Sequence, residues 1–384
     1  MIYYLVFFVL AIFTILSPKL NSNSKHRLEI VAIVAVVAFQ GLRWERGTDW
    51  TSYYEYFNHS IEPPYYYEYG WWLLNNYVLK YTDSFNVRLT IESTLIFLLN
   101  LRFAQYIGMR NKNAIIMSLF AGCIFPVRFE LASAIVLNSY QYIVEKNLKR
   151  FFLVVILAST IHIAALLIIP FFFVYRKELS LKQMLGFYML SIIVGFMPTL
   201  VLPIFEGLNN ILNIASADQF LGDKIDGYLY GGLSDMYKRP VISIILSFVN
   251  GAIFIWMFYQ FRIYLYGDSS FKAMLNNTAK GCNTNKIKET FLESKKKYTI
   301  LSNLYLFGIC FNRLISMTVP YMARIGIMAC AAGGFILIFG IEHRFKKNSV
   351  YIFSIYVIYK FLSFYGILYG QYSKLFLPYN SIIS

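Results

Sequence analysis

The chain has 384 residues, of which 58% are apolar and 14% charged, where soluble domains carry about 45–50% and about 25%. A soluble fold of this length has no interior large enough for that surface, so the chain reads as a multi-span membrane protein. Its net charge of +15 then reads as the Lys/Arg excess of cytoplasmic loops, not as a nucleic-acid surface, since no nucleic-acid-binding signature accompanies it.

In chain order, residues 1–16, MIYYLVFFVLAIFTIL, lack a basic leader and a small-x-small cleavage site, and read as an uncleaved first span. Further apolar runs fall at 28–42, 88–107, 113–125, 129–145, 151–174, 183–204, 240–261, 298–318, 322–341 and 349–370. No soluble domain, linker or repeat interrupts them. The expectation is one all-α, polytopic membrane helix bundle over 1–384. Residues 17–27, 145–150, 262–297 and 342–348 are basic and belong in the cytoplasm, 262–297 being the large basic loop. Residues 43–68, with two arginines and five acids, and 205–239, with three basic residues and five acids, are the outer loops. Two adjustments make every loop consistent. Residues 68–81 do not cross, and 151–174 is two short helices folded near His162. The result is about twelve crossings, some short or broken, with both termini outside.

This topology brings Arg43, Arg46, Asp49, Arg128, His162, Arg313 and Arg324 to one membrane face. Charge at membrane depth is costly and usually faces a cavity with a partner. Arg128, two residues after Pro126 and two before Glu130, is either snorkelling to lipid phosphates or binding an anion. Arg324 follows Pro320 near a helix N-terminus, which favours anions. Arg313 has the same two readings as Arg128. His162 either bonds between helices or serves substrate and proton transfer, its ordinary pKa lying near neutrality. In GLRWERGTDWTSYYEYF (41–57), Gly47 permits a tight turn and Thr48 and Asp49 can cap the segment after them. Arg43 and Arg46 offer planar forks for phosphate oxygens. Tyr53 and its neighbours suit either sugar rings or the interfacial aromatic belt. Cys123, Cys282, Cys310 and Cys330 lack metal or redox spacing and HExxH is absent, so no metal or cofactor is expected.

Four segments resemble the EpsG-type branch of the Wzy polysaccharide polymerases: residues 41–57, VRFELASAIVLNSYQYIVEKNLKRFFLVVILASTIHIAALL (127–167), YMARIGIMA (321–329) and LPYN (377–380). The order matches over nearly the whole chain. Arg128-Phe129-Glu130 departs from the family's Arg-Gln, and residues 180–310 match nothing in it. The resemblance implies a bacterial inner-membrane enzyme related to the C-type membrane glycosyltransferases. Its substrate would be an undecaprenyl-diphosphate-linked oligosaccharide at the outer face, with a chain-length regulator as a candidate partner. A growing glycan would pass from its lipid diphosphate to a lipid-linked repeat unit. Guanidinium groups suit the charge that appears on such a leaving group. Arg128 and Arg324 are expected to grip it, with Arg43, Arg46, Arg313 and Tyr53 lining the substrate site. His162, Asp49 and Glu130, in that order, are candidates for the base. A polysaccharide ligase and a lipid-linked glycan flippase are the alternatives.

Overall fold

A computed structural model describes residues 1–59, 68–78, 81–82, 84–125, 127–197, 199–200, 203, 241–267, 269, 284–316, 323–345, 348–370 and 373–382. Side chains 59, 77–78, 241–243, 284–287 and 323–325 fall outside that description. The expected outer loop 205–239 therefore lies outside it, as do 60–67 and most of 268–283.

The described residues are helical and contain no strand; Arg43 and Ser381 form an isolated antiparallel bridge. The helices turn apolar side chains outward. On α1 (Ile2–Leu16), Tyr3, Phe7, Leu10, Ala11 and Thr14 are buried, while Leu5, Phe8 and Ile12 are exposed. Polar residues go inward: Arg88, Glu92 and Asn100 of α5 (Phe85–Ile107) are buried while Leu95 and Leu98 are exposed. That inversion suits a hydrocarbon solvent. Four described helices are long and apolar enough to cross a bilayer: Ile2–Lys19, Ile244–Tyr266, Gly326–Arg344 and Ser349–Leu368.

Two compact units result. One comprises Met1–Gln141, Phe152–Leu166 and Ile338–Ser384. Here α2 (Ser22–Gly41) packs on α5, and α1 packs on α6 (Lys112–Gly122). The first unit also holds α3 (Trp50–His59), α4 (Tyr69–Leu73) and the start of α7 (Arg128–Glu145). Asn21 caps α2 through the Ser24 amide at 2.8 Å, and so starts it before the apolar run begins. Gly41 lets α2 and α5 close up, because a Cβ there would stand 2.1 Å from Thr90 Oγ1. The expected break near His162 is present: α8 (Leu148–Ser159) ends and a 3₁₀ helix, Ile163–Phe173, follows.

The second unit comprises Tyr142–Phe151 and Leu167–Leu337. It is organised on one helix of 33 residues, α11 (Thr284–Ser316), which packs against α9 (Leu181–Gly195), α10 (Val241–Tyr266) and α12 (Ala323–Cys330). Both α10 and α11 extend into the stretch expected as the basic loop 262–297. Two further helices, α13 (Ala332–Arg344) and α14 (Ser349–Leu368), precede the C-terminal segment.

Candidate substrate site

The loop that follows α2, residues 42–49, is clamped by the C-terminal segment. The Trp44 amide donates to the Asn380 carbonyl (3.0 Å), Ile382 to Leu42 (3.0 Å) and Gly47 to Leu375 (2.9 Å). Tyr379 stacks on Phe39 at 4.6 Å and donates its hydroxyl to the Phe39 carbonyl at 2.8 Å. Gly47 has φ +114°, a left-handed conformation that disfavours a side chain. From the other side, Asn86 Nδ2 donates to the carbonyls of Gly41 (2.8 Å) and Arg43 (3.1 Å).

This frame carries Arg43 into the interior. Expected to line the substrate site, it is 1% exposed, with its guanidinium carbon 4.8 Å from the Phe125 ring centroid. Neither Nε nor Nη1 has a hydrogen-bond partner among the described residues. Burial lowers its pKa from 12.5 to about 10, with Glu92 opposing and Arg88 adding to the shift, so it stays charged at neutral pH. The buried Nε atoms of Arg46, Trp50 (Nε1) and Trp71 (Nε1) are likewise unpartnered donors among the described residues.

Two charged residues not singled out in the sequence act electrostatically on Arg43. Arg88 and Glu92, one turn apart on α5 and each 1% exposed, form an ion pair at 3.2 Å. The Arg88 guanidinium lies 4.2 Å from the Trp71 ring and 5.4 Å from those of Tyr53 and Phe85. The signal for them was two opposite charges four residues apart, in RLTIE, at the entrance to an apolar run.

Arg128 opens α7 and pairs with Glu68, which also accepts the Ile163 amide at 3.0 Å. Glu68 thus ties the arginine to the turn that carries His162. Arg43, Arg88, Arg128 and Glu130 all act electrostatically on the Glu92 carboxylate. Tyr53 is buried with its ring 5.6 Å from Trp71, within an aromatic cluster that includes Trp50 and Phe85. Burial raises its phenol pKa, partly countered by Arg128.

The candidate bases differ in how they are held. His162 packs edge-on against Phe129 at 5.4 Å, and its Nδ1 accepts the Ala164 amide at 3.3 Å. A neutral ring accepting there carries its proton on Nε2, which is then a donor. Glu130 accepts the Val127 amide at 3.0 Å and caps its own helix. Asp49 is half-buried, acts on both Tyr53 and Cys123, and has its carbonyl bonded to the Tyr53 amide at 3.1 Å.

The remaining expected residues belong to the second unit. Arg313 donates from Nη2 to the Ser247 carbonyl (3.0 Å) and from Nε to Tyr188 Oη (3.3 Å), beside a cavity of about 200 Å³ that Asn250, Tyr305 and Asn312 also line. The backbone of Arg324 lies in α12, and its side chain falls outside the described residues, as does Pro126. Among the described residues no His, Cys, Asp and Glu cluster suits a metal.

Outward apolar faces around buried charge define a multi-pass helical membrane protein. No curated protein and no solved structure matches the chain significantly. The EpsG family model matches residues 26–381, nearly the whole chain. The chain belongs to the EpsG family, a Wzy-like polysaccharide polymerase family, which supports a polymerase role of the glycosyltransferase type.

Proposed function

We propose that the protein elongates a bacterial surface polysaccharide at the outer face of the inner membrane. It transfers a growing glycan from undecaprenyl diphosphate onto a lipid-linked repeat unit, in a bundle of about twelve crossings. The observation that carries this reading is Arg43: a buried, charged guanidinium with two nitrogens unpartnered among the described residues. A buried cation without a counter-ion of its own is costly, and an anionic ligand supplies the missing charge.

In the reaction the acceptor hydroxyl loses its proton to a base as its oxygen attacks the anomeric carbon. The bond from that carbon to the phosphate oxygen breaks, and the electron pair leaves with the diphosphate. Arg43, Arg46 and Arg128 stabilise the charge appearing there. Asp49 is the preferred base, because among the described residues its carboxylate takes no hydrogen bond. His162 then serves as an Nε2 donor to substrate, and Glu130 holds the start of α7. Arg324 remains a proposed diphosphate contact and Tyr53 a wall of the sugar site.

The lipid-linked products of a strain lacking the protein test this assignment. Single repeat units on the outer face are expected. Polymer retained on its carrier would replace the reading with a ligase, and repeat units trapped inside with a flippase.

A further inference from the structure

Glu92 is paired with Arg88 at 3.2 Å and also acts electrostatically on Arg43. Both guanidinium groups and Glu92 are buried to 1% exposure, so water screens none of them. Within the buried set Arg43, Arg88 and Glu92, two cations and one anion leave one positive charge, and Arg43 carries open donors. Trp71, Tyr53 and Phe85 crowd the faces of Arg88 and hold it to Glu92 across one helical turn. A second carboxylate paired within this set of three would cancel its positive charge. With no carboxylate, the empty site would hold two bare buried charges, and an anionic product would be slow to leave.

We propose that Glu92 is a positioning residue that sets the charge of the anion site: it anchors Arg88, half-neutralises the Arg43–Arg88 pair, and thereby weakens the hold on the departing diphosphate enough for turnover. The proposal rests on the polymerase reading above. Glu92 is buried and paired with Arg88, so it acts through the arginines and not on the sugar.

Calorimetric titration of the purified full-length protein with inorganic pyrophosphate tests it. Glu92→Gln keeps the shape and removes the charge. It is expected to bind pyrophosphate at least about tenfold more tightly than wild type. Its kcat for polymerisation should fall while KM stays level or drops. Glu92→Asp, which keeps the charge, should stay within about threefold of wild type in both measurements. Arg88→Gln approaches from the other side, leaving Glu92 to neutralise Arg43, and should weaken pyrophosphate binding at least about tenfold. A folded Glu92→Gln protein with unchanged or weaker affinity overturns the proposal. If that variant does not fold, unchanged affinity in Arg88→Gln overturns it. Wild-type protein that does not bind pyrophosphate removes the Arg43 anion site itself, and this inference with it. Wild-type binding that neither substitution alters removes this inference alone.

Discussion

Arg43 and Arg313 look alike in the sequence, each an arginine at the end of an apolar run, yet their surroundings differ in kind. Arg313 has protein partners for its donors: it bridges Ser247 and Tyr188 and lies 5.5 Å from the Phe248 ring. Arg43 is held just as firmly through its backbone, but its guanidinium has open donors, and the carboxylate that acts on it, Glu92, is paired with Arg88. A membrane arginine's role is thus decided by who takes its N–H groups, not by its depth.

The contrast breaks most sharply under substitution. Arg43→Gln should lower polymerisation by more than about a hundredfold, the scale of losing a preorganised donor to developing charge. Its thermal stability should match or exceed wild type, because a buried, uncompensated charge is removed. Next in size, Glu68→Gln frees Arg128 from its ion pair and from the His162 turn, and should cost about tenfold in kcat at normal protein levels. Arg313→Gln inverts the Arg43 result. It should destabilise the protein by about 2–3 kcal/mol through two lost charged hydrogen bonds, measured by detergent-based thermal unfolding. The activity of the molecules that stay folded should remain within about fivefold of wild type. Gly47→Ala is the mildest change, expected to cost about 1–2 kcal/mol because φ +114° disfavours a Cβ, with a matching drop in the melting temperature.

Much of the frame was legible. Apolar runs placed the helices because a lipid-exposed backbone must satisfy itself within each segment. The turn at Gly47 and the break near His162 arise from local chemistry that short stretches of sequence display. Helix starts were harder. α2 begins at Ser22 because the Asn21 cap acts on polar residues that no apolar pattern marks. The site was half legible: Arg43, Asp49, Arg128 and His162 stand out as charge near membrane helices. Arg88 and Glu92 were hidden by pairing with each other inside what reads as an ordinary span. Glu68 was hidden differently, since its partners, Arg128 and the Ile163 amide, are 60 and 95 residues away in sequence. Likewise, nothing local in LPYN announces that it clamps the loop around Arg43. The EpsG family match spans both ends of the chain, and the hydrogen bonds show what joins them.

The most direct test uses purified wild-type and Arg43→Gln protein, each supplied with a synthetic undecaprenyl-diphosphate-linked repeat unit and assayed by glycan sizing. A ladder of lengthened lipid-linked chains from the wild type, and only single repeats from a folded Arg43→Gln variant, is the predicted result. Equal ladders from both proteins would contradict the account.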